Sequence, residues 1–474
     1  MTAQRPRFHF SPASGWINDP NGLIRFDEVY HIFYQANPHG LVHGPMHWGH
    51  ATSRDLAIWE EQPLALFPDA DGQCFSGSAV AVREGTVADQ LGTGDGILMF
   101  YTAHLDRPGL LAVETQSVAV ADRALKSFRK FAGNPVVANP GLRDFRDPKV
   151  IWHASTSRWV MVVTHGQSVG FYSSADALDW RFESEFGVDE GRHGPGPWEC
   201  PDLFPISVEG SSEIAWILVV GLGRGHVSGG SGTQYFVGDF DGRSFRNRNP
   251  KHLDLPMDWG RDYYATQSFS GMAGEEPLVM AWMSNWMYAN HTPSSGFRGN
   301  MTLPRRLQLV PTAAGLRLVQ TVDPSAAQQF PRLDLAPGQS ASSPPAAYRL
   351  QFDWSPGAGH RLTLALFGET EPILTVQRRE AGYVVGVSRS SHLDIALELE
   401  FATQFAFDAE ADGMFDLDVF VDHGLVEIGC CGGRHWITNL YFPADPAGPV
   451  RLAVEQSPRV NGNSSDRTQL RHGP

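Results

Sequence analysis

Trp16-Ile17-Asn18-Asp19-Pro20-Asn21-Gly22 leads, a few residues on, into Tyr30-His31-Ile32-Phe33-Tyr34. The second part is a short apolar run, and four more follow it: Ile97-Leu98-Met99-Phe100-Tyr101, Trp159-Val160-Met161-Val162-Val163, Trp216-Ile217-Leu218-Val219-Val220 and Leu278-Val279-Met280-Ala281-Trp282. Each is short, apolar and flanked by turn residues, the pattern of a buried strand. A further strand candidate precedes each: Trp16 to Phe26, Phe75 to Val82, Phe145 to Trp152, Glu199 to Ile206 and Tyr263 to Phe269. The runs begin at intervals of 57 to 67 residues. A repeat near 60 residues that carries several strands predicts a β-propeller, and five units predict five blades. A β-sandwich or a β-helix is the alternative, but the unit is long for a β-helix coil and a sandwich need not repeat.

The repeat stops near Leu307, so the propeller is assigned to residues 1–308. Residues 309–345 mix short apolar pieces with Pro-, Ser- and Ala-rich stretches and read as a connector. Strand-like runs resume at Tyr348 to Phe352, Arg361 to Phe367, Tyr383 to Val387, Phe415 to Phe420, Val426 to Ile428 and Val450 to Val454. Their alternation predicts a β-sandwich over 346–474. The fold class is all-β. The 49 glycines, 33 prolines, 13 tryptophans and 28 phenylalanines agree with many turns and many short strands.

A formal net charge of −15 argues against nucleic acid or an anionic membrane as partner and suits a neutral substrate. The four cysteines, Cys74, Cys200, Cys430 and Cys431, show no metal-type spacing, and adjacent cysteines pair poorly. Read as free thiols, they favour a reducing compartment. Met1 to Phe10 has no apolar h-region, and no run of about 18 apolar residues exists to span a membrane. The expectation is a cytoplasmic protein, or a secreted one if a leader has been removed.

Pro20 fixes its own φ and restrains Asp19 before it, and Asn21-Gly22 is a strong turn signal. A carboxylate held this stiffly beside a tryptophan suits a nucleophile; alone, it reads as well as a structural turn. Two further acidic motifs tip the balance. Arg146-Asp147-Pro148 and Trp198-Glu199-Cys200-Pro201-Asp202 open the first strands of repeats three and four. Equivalent strand ends converge on a propeller's axis, so the three acids are expected to meet in one pocket. Paired carboxylates with flanking tryptophans are what glycoside hydrolysis needs. Arg146 is expected to favour ionised Asp147, and apolar neighbours to keep the proton on Glu199. The bland alternatives are a structural Arg–Asp pair and a strand-edge glutamate.

Together with Phe33-Tyr34-Gln35, Trp48-Gly49-His50 and Phe75-Ser76-Gly77-Ser78, these motifs resemble, in order and along essentially the whole chain, glycoside hydrolase family 32, the invertase, levanase and inulinase family. Phe420-Val421-Asp422-His423-Gly424-Leu425-Val426-Glu427 resembles a signature of that family's sandwich domain. The resemblance implies a five-bladed propeller and a retaining mechanism on the terminal β-D-fructofuranosyl units of sucrose, fructo-oligosaccharides or fructans such as levan and inulin. It implies Asp19 as nucleophile, Glu199 as acid/base and Asp147 as transition-state stabiliser. It places Trp16, Asn18, Gln35, Trp48, Phe75, Ser76, Arg146 and Cys200 about the fructose subsite, with Trp282 and Trp286 at the rim. Cys200 is expected to be a packed thiol that tunes Glu199. Gly44 to His50 and Trp282 to Trp286 are more similar to levanases and exo-inulinases than to sucrose-6-phosphate hydrolases.

No cofactor or metal is implied. His39, His43, His47 and His50 have helical spacing, but the glycines and proline among them oppose a helix, and a sugar-lining role is the better reading. Gly221-Leu222-Gly223-Arg224-Gly225 lacks the ending of a phosphate loop. Two other functions share these motifs. One is fructosyl transfer, with a sugar hydroxyl replacing water; the other is a non-catalytic fructan-binding protein, against which the intact Asp19, Asp147 and Glu199 argue. If the protein is a homo-oligomer, the sandwich is the expected contact surface.

Overall fold

The computed structural model describes residues 5–92, 94–272, 274–389, 400–410 and 414–456. Five antiparallel sheets follow one another along the chain. The first comprises Gly15–Phe26, Val29–Asn37, His47–Ser53 and Glu60–Leu66; the second Gln73–Val82, Gly96–Leu105, Val113–Asp122 and Phe128–Lys130. The third comprises Lys149–His153, Arg158–Thr164, Val169–Ser174 and Arg181–Phe186; the fourth Trp198–Ser207, Ile214–Leu222, Gly232–Phe240 and Phe245–Asn247. The fifth holds Tyr264–Ser268, Leu278–Trp282, Arg305–Thr312 and Gly315–Val322.

Each of the five apolar runs is the second strand of its sheet, and its lack of alternation has a physical cause. Ile97 and Met99 pack toward the first sheet while Leu98 and Phe100 pack toward the third. Val160 and Val162 face the fourth sheet, Met161 and Val163 the second. Ile217 and Val219 face the fifth, Leu218 and Val220 the third. A strand covered on both faces has no polar side. Each large side chain so buried contributes about 1.5–3 kcal/mol of transfer free energy. A fifth cluster joins the first sheet to the last through Ile32, Tyr34, Leu278 and Met280. The first strands of successive sheets also adjoin one another in a closed cycle. This is the closed ring of a β-propeller. A short strand, Phe297–Arg298, pairs in parallel with Gly15 and Trp16, so a late segment latches the ring shut.

Strands Arg305–Thr312 and Gly315–Val322 belong to the fifth sheet, although most of these residues fall in the stretch read from sequence as connector. Pro311 in the first of them obscured the pattern; it pairs with Leu316 near the hairpin end, where a missing donor is tolerated. Phe145 to Pro148, read as strand, lies ahead of the strand Lys149–His153.

The C-terminal part stacks a six-stranded sheet, from Ser340–Ala341 to Thr403–Ala409 with Val450–Gln456, on a four-stranded one: Ala347–Trp354, Phe415–Asp422, Leu425–Cys430 and His435–Leu440. Phe415, Leu417, Val419 and Val421 alternate into one core shared by both sheets, as in a sandwich. Residues 457–474, included in the sandwich by the sequence reading, lie outside the described residues.

Candidate active site

In four of the five propeller sheets the regular ladder is broken at the innermost strand. Register shifts fall between Ile17 and Pro20, Phe75 and Gly77, Glu199 and Asp202, and Tyr264 and Gln267. A bulge re-aims the side chains beside it. Asp147, Cys200 and Ala265 have φ of 65°, 48° and 54°, and all three are buried. Non-glycine residues in this left-handed region cost about 1–3 kcal/mol each, a strain concentrated at functional sites. Gly22, at φ 50°, lies where a Cβ would meet the Trp48 ring at 3.1 Å, so the turn after Asp19 requires glycine.

Three acids converge here, and Cys200 joins two of them. Its backbone N–H donates to Asp147 Oδ2 at 2.9 Å. Its Sγ lies 3.4 Å from Asp19 Oδ2 and 3.6 Å from Asp147 Oδ2. Burial and the surrounding carboxylates push the thiol pKa well above its ordinary value, so Cys200 is a neutral donor. It therefore bridges Asp19 and Asp147 rather than acting on Glu199 as the sequence suggested.

Asp19 Oδ2 also accepts from Ser76 Oγ at 2.6 Å, while the buried Oδ1 has no hydrogen-bond partner among the described residues. Burial raises the Asp19 pKa, with Ser76 opposing. Asp147 does not follow the sequence expectation. Burial raises its pKa to about 8, against the pull of Arg146 and with help from Glu199 and Asp19. The reason is where the guanidinium points: Arg146 is committed to Glu199, Glu114 and Asp144.

Glu199 is likewise not in the apolar setting expected. Its Oε1 accepts from Arg146 Nη2 at 3.0 Å and Nε at 3.3 Å, and its Oε2 accepts from the Tyr264 hydroxyl. Its side chain is 20% exposed, against 8% and 6% for residues Asp19 and Asp147. The most open acid is thus the one held by charged and phenolic donors.

An aromatic wall stands beside the acids. Trp16 packs on Trp282 at 5.8 Å and on Trp286 at 6.2 Å, and its Nε1 donates to Asn18 Oδ1 at 2.8 Å. Trp282 is fully buried behind them, not at a rim, because Trp16 and Trp286 cover it. Trp286 is partly exposed, with His43 set edge-on against it at 5.5 Å. Gln35 and Trp48 are buried and donate to the backbone carbonyls of Cys74 and Phe75, at 2.9 and 3.0 Å. They hold the strand that presents Phe75 and Ser76. Of the other histidines, His50 pairs with His31 at 3.0 Å, and His39 and His47 pack edge-on to each other.

Sequence reasoning missed Tyr264, Glu114 and Thr102. Tyr264 opens the inner strand of the fifth sheet, the position equivalent to Glu199, so the repeat itself signalled it; a search for acids passed over it. Thr102 Oγ1 accepts from Asp147 N–H at 2.9 Å. Glu114 carried no local motif.

The family model described as Glycosyl hydrolases family 32 N-terminal domain matches residues 9–321, and the family 32 C-terminal model matches residues 318–468. A levanase of Bacillus subtilis is 40% identical over 459 residues, covering 93% of this chain and 66% of the levanase. The extracellular exo-inulinase inuE of Aspergillus niger is 32% identical, covering 94% and 91% of the two chains. Among solved structures, the exo-inulinase of Aspergillus awamori superposes with a TM-score of 0.83 at 29% identity, covering 95% of each chain. A β-fructofuranosidase of Schwanniomyces occidentalis complexed with fructosyl-erythritol gives 0.82 at 27% identity, covering 96% and 95%.

Proposed function

The chain belongs to glycosyl hydrolase family 32 and is a hydrolase of β-fructofuranosides, and from that premise we propose how its own residues divide the reaction. The observation that carries the proposal is the convergence of Asp19 and Asp147 on Cys200, with Glu199 next in the chain and gripped by Arg146 and Tyr264.

Asp19 attacks the anomeric C2 of a fructosyl unit through Oδ1, the oxygen that Ser76 and Cys200 leave unengaged. The C2–O bond to the leaving sugar breaks as the C2–Oδ1 bond forms, and Glu199 gives that oxygen its proton. Water then attacks C2 while Glu199 takes a water proton, and the ester bond breaks to return the Asp19 carboxylate. Two displacements at one carbon retain its configuration. Arg146 and Tyr264 keep Glu199 oriented through both proton transfers. Asp147 accepts from fructose hydroxyls and, once ionised, steadies the positive charge that builds on the ring. The aromatic wall receives the apolar face of the sugar.

The test is a panel of sucrose, inulin, levan and short fructo-oligosaccharides, with free fructose followed by NMR during the first turnovers. The expected first product is β-fructofuranose, the anomer of the substrate bond. Release of the α anomer would show that water, not Asp19, attacks the substrate. Glu199→Gln is expected to lower kcat on sucrose by about 10²–10⁴.

A further inference from the structure

Glu114 is a buried carboxylate, with its side chain 3% exposed, in the strand Val113–Asp122 of the second sheet. The reaction as derived above gives it no part. Its contacts nevertheless reach the reacting groups from two sides. Its oxygens accept from Arg146 Nη1 at 3.2 and 3.3 Å. The same guanidinium uses Nη2 and Nε to hold Glu199 Oε1. Glu114 Oε1 also lies 3.0 Å from His104 Nδ1, and the His104 ring is stacked on Phe75 at 4.1 Å with planes 10° apart. Glu114 Oε2 accepts from Phe145 N–H at 2.8 Å, which anchors the backbone just ahead of Arg146 and Asp147.

Resting on the assignment of Glu199 as acid/base, we propose that Glu114 is a positioning residue. It shares Arg146 with Glu199, and thereby sets how strongly the guanidinium holds the ionised acid/base. A guanidinium divided among three carboxylates, Glu114, Glu199 and Asp144, stabilises each less than it would if it had fewer to serve. Glu114 also fixes the His104 ring that backs Phe75, so the acid/base and one aromatic face of the pocket are set by a single side chain.

The charged and titratable groups around this cluster come from several elements. His104 and Asp106 lie on and just beyond the strand Gly96–Leu105, and Asp106 sits 3.3 Å from His104 Nε2. Asp144, Arg146 and Asp147 come from the loop before the third sheet, Glu199 from the fourth, Tyr264 from the fifth, and His43 faces His104 from the first. Among the described residues, Arg146 is the one cation in contact with both Glu114 and Glu199.

Removing the Glu114 charge leaves Arg146 to Glu199 and Asp144, a larger share for Glu199. The ionised acid/base is then favoured and its proton is lost at lower pH, so the basic limb of kcat/KM moves to lower pH. Glu114→Gln preserves shape and is expected to move that limb down by about one pH unit. Leaving groups separate this role from a merely structural one. Sucrose needs a proton on its departing oxygen; an aryl β-fructoside with an acidic phenol does not. Glu114→Gln is expected to lower kcat about 10- to 100-fold on sucrose and less than about 3-fold on the aryl fructoside. Glu114→Asp keeps the charge but withdraws it by one methylene, and gives the same asymmetry in smaller measure with the limb nearly in place.

Equal losses on both substrates, with the basic limb unmoved in either variant, would overturn the proposal and leave Glu114 a packing residue. Failure of the parent reading looks different: Glu199→Gln would then keep the wild-type kcat on sucrose.

Discussion

At the scale of a residue, Asp147 shows how a site stores cost. It is a carboxyl buried within reach of two other acids, on a backbone that only glycine adopts freely. Its pKa, raised to about 8 by burial, lies above the unfolded value, so ionising it works against the fold. The sign follows: this destabilisation is absent below the unfolded pKa near 4 and grows as pH rises from there toward about 8. Asp147→Asn keeps an oxygen for the Cys200 N–H but cannot ionise. The variant is expected to melt about 1–3 °C higher than wild type at pH 8 and equally at pH 4, while kcat on sucrose falls at least tenfold. Calorimetry across pH, paired with fructose release, checks both halves. A variant that loses stability at pH 8 would show that the carboxylate supports the fold.

The same residue marks how far a sequence reading reaches. That Asp19, Asp147 and Glu199 share a pocket follows from their equivalent places in a repeat, because equivalent strand starts meet at one axis. That Arg146 turns from Asp147 to Glu199 and Glu114 does not follow, since adjacency in sequence says nothing of where a long side chain points. Glu114 itself was illegible: it is one carboxylate in an apolar-polar strand, and its meaning comes from three partners in other elements. Tyr264 was legible in principle, through its position in the fifth repeat.

At the scale of elements, the apolar runs were legible because a strand buried on two faces leaves a continuous apolar signature. The last two strands of the fifth sheet were not, because Arg305–Thr312 alternates in burial and carries Pro311. The N-terminal segment ahead of the first strand shows a different organisation. His9 is buried between Asp422 Oδ2 at 2.9 Å and Glu427 Oε1 at 3.0 Å, and Asp422 also accepts from the backbone N–H groups of Arg7 and Phe8. Burial alone would lower the His9 pKa, but the two carboxylates outweigh it and raise it to about 9. Because the folded value exceeds the unfolded one, the stabilisation is complete below about pH 6.5 and is lost as pH rises through 9. The linkage amounts to about 3 kcal/mol. Melting temperature is therefore expected to fall between pH 6.5 and 9, and His9→Gln to flatten that fall while lowering stability at pH 6. A variant whose profile stays parallel to wild type would place the titrating group elsewhere.

At the scale of the whole molecule, propeller and sandwich share a buried electrostatic seam. Arg305, in the fifth sheet, is fully buried. It pairs with Asp258 at 2.9 Å and with Glu427 of the sandwich, and donates to Thr438 Oγ1 at 2.6 Å. Asp258 in turn accepts from Thr438 N–H at 2.8 Å. Asp262 accepts from Arg389 at 2.5 Å and from Leu440 N–H at 2.8 Å. The Trp259 ring lies flat on Phe407 at 4.3 Å. Stripping a buried charge of its partner costs about 3–5 kcal/mol, and a domain's whole stability is about 5–15 kcal/mol. Removing the sandwich would take Glu427 and Thr438 from Arg305, Arg389 from Asp262 and Thr438 from Asp258, several such costs at once. It would also release the N-terminal segment that Asp422 holds. A fragment of residues 1–345 is therefore expected to be insoluble or to lack near-ultraviolet circular dichroism, and to release no fructose, although every proposed catalytic residue is in it. The full chain is expected to melt in one calorimetric transition. A soluble fragment with a cooperative melt, or two separated transitions in the full chain, would show that the seam joins two independent bodies. In that case the position of Arg305, and with it the packing of the fifth sheet beside Tyr264, would not depend on the sandwich.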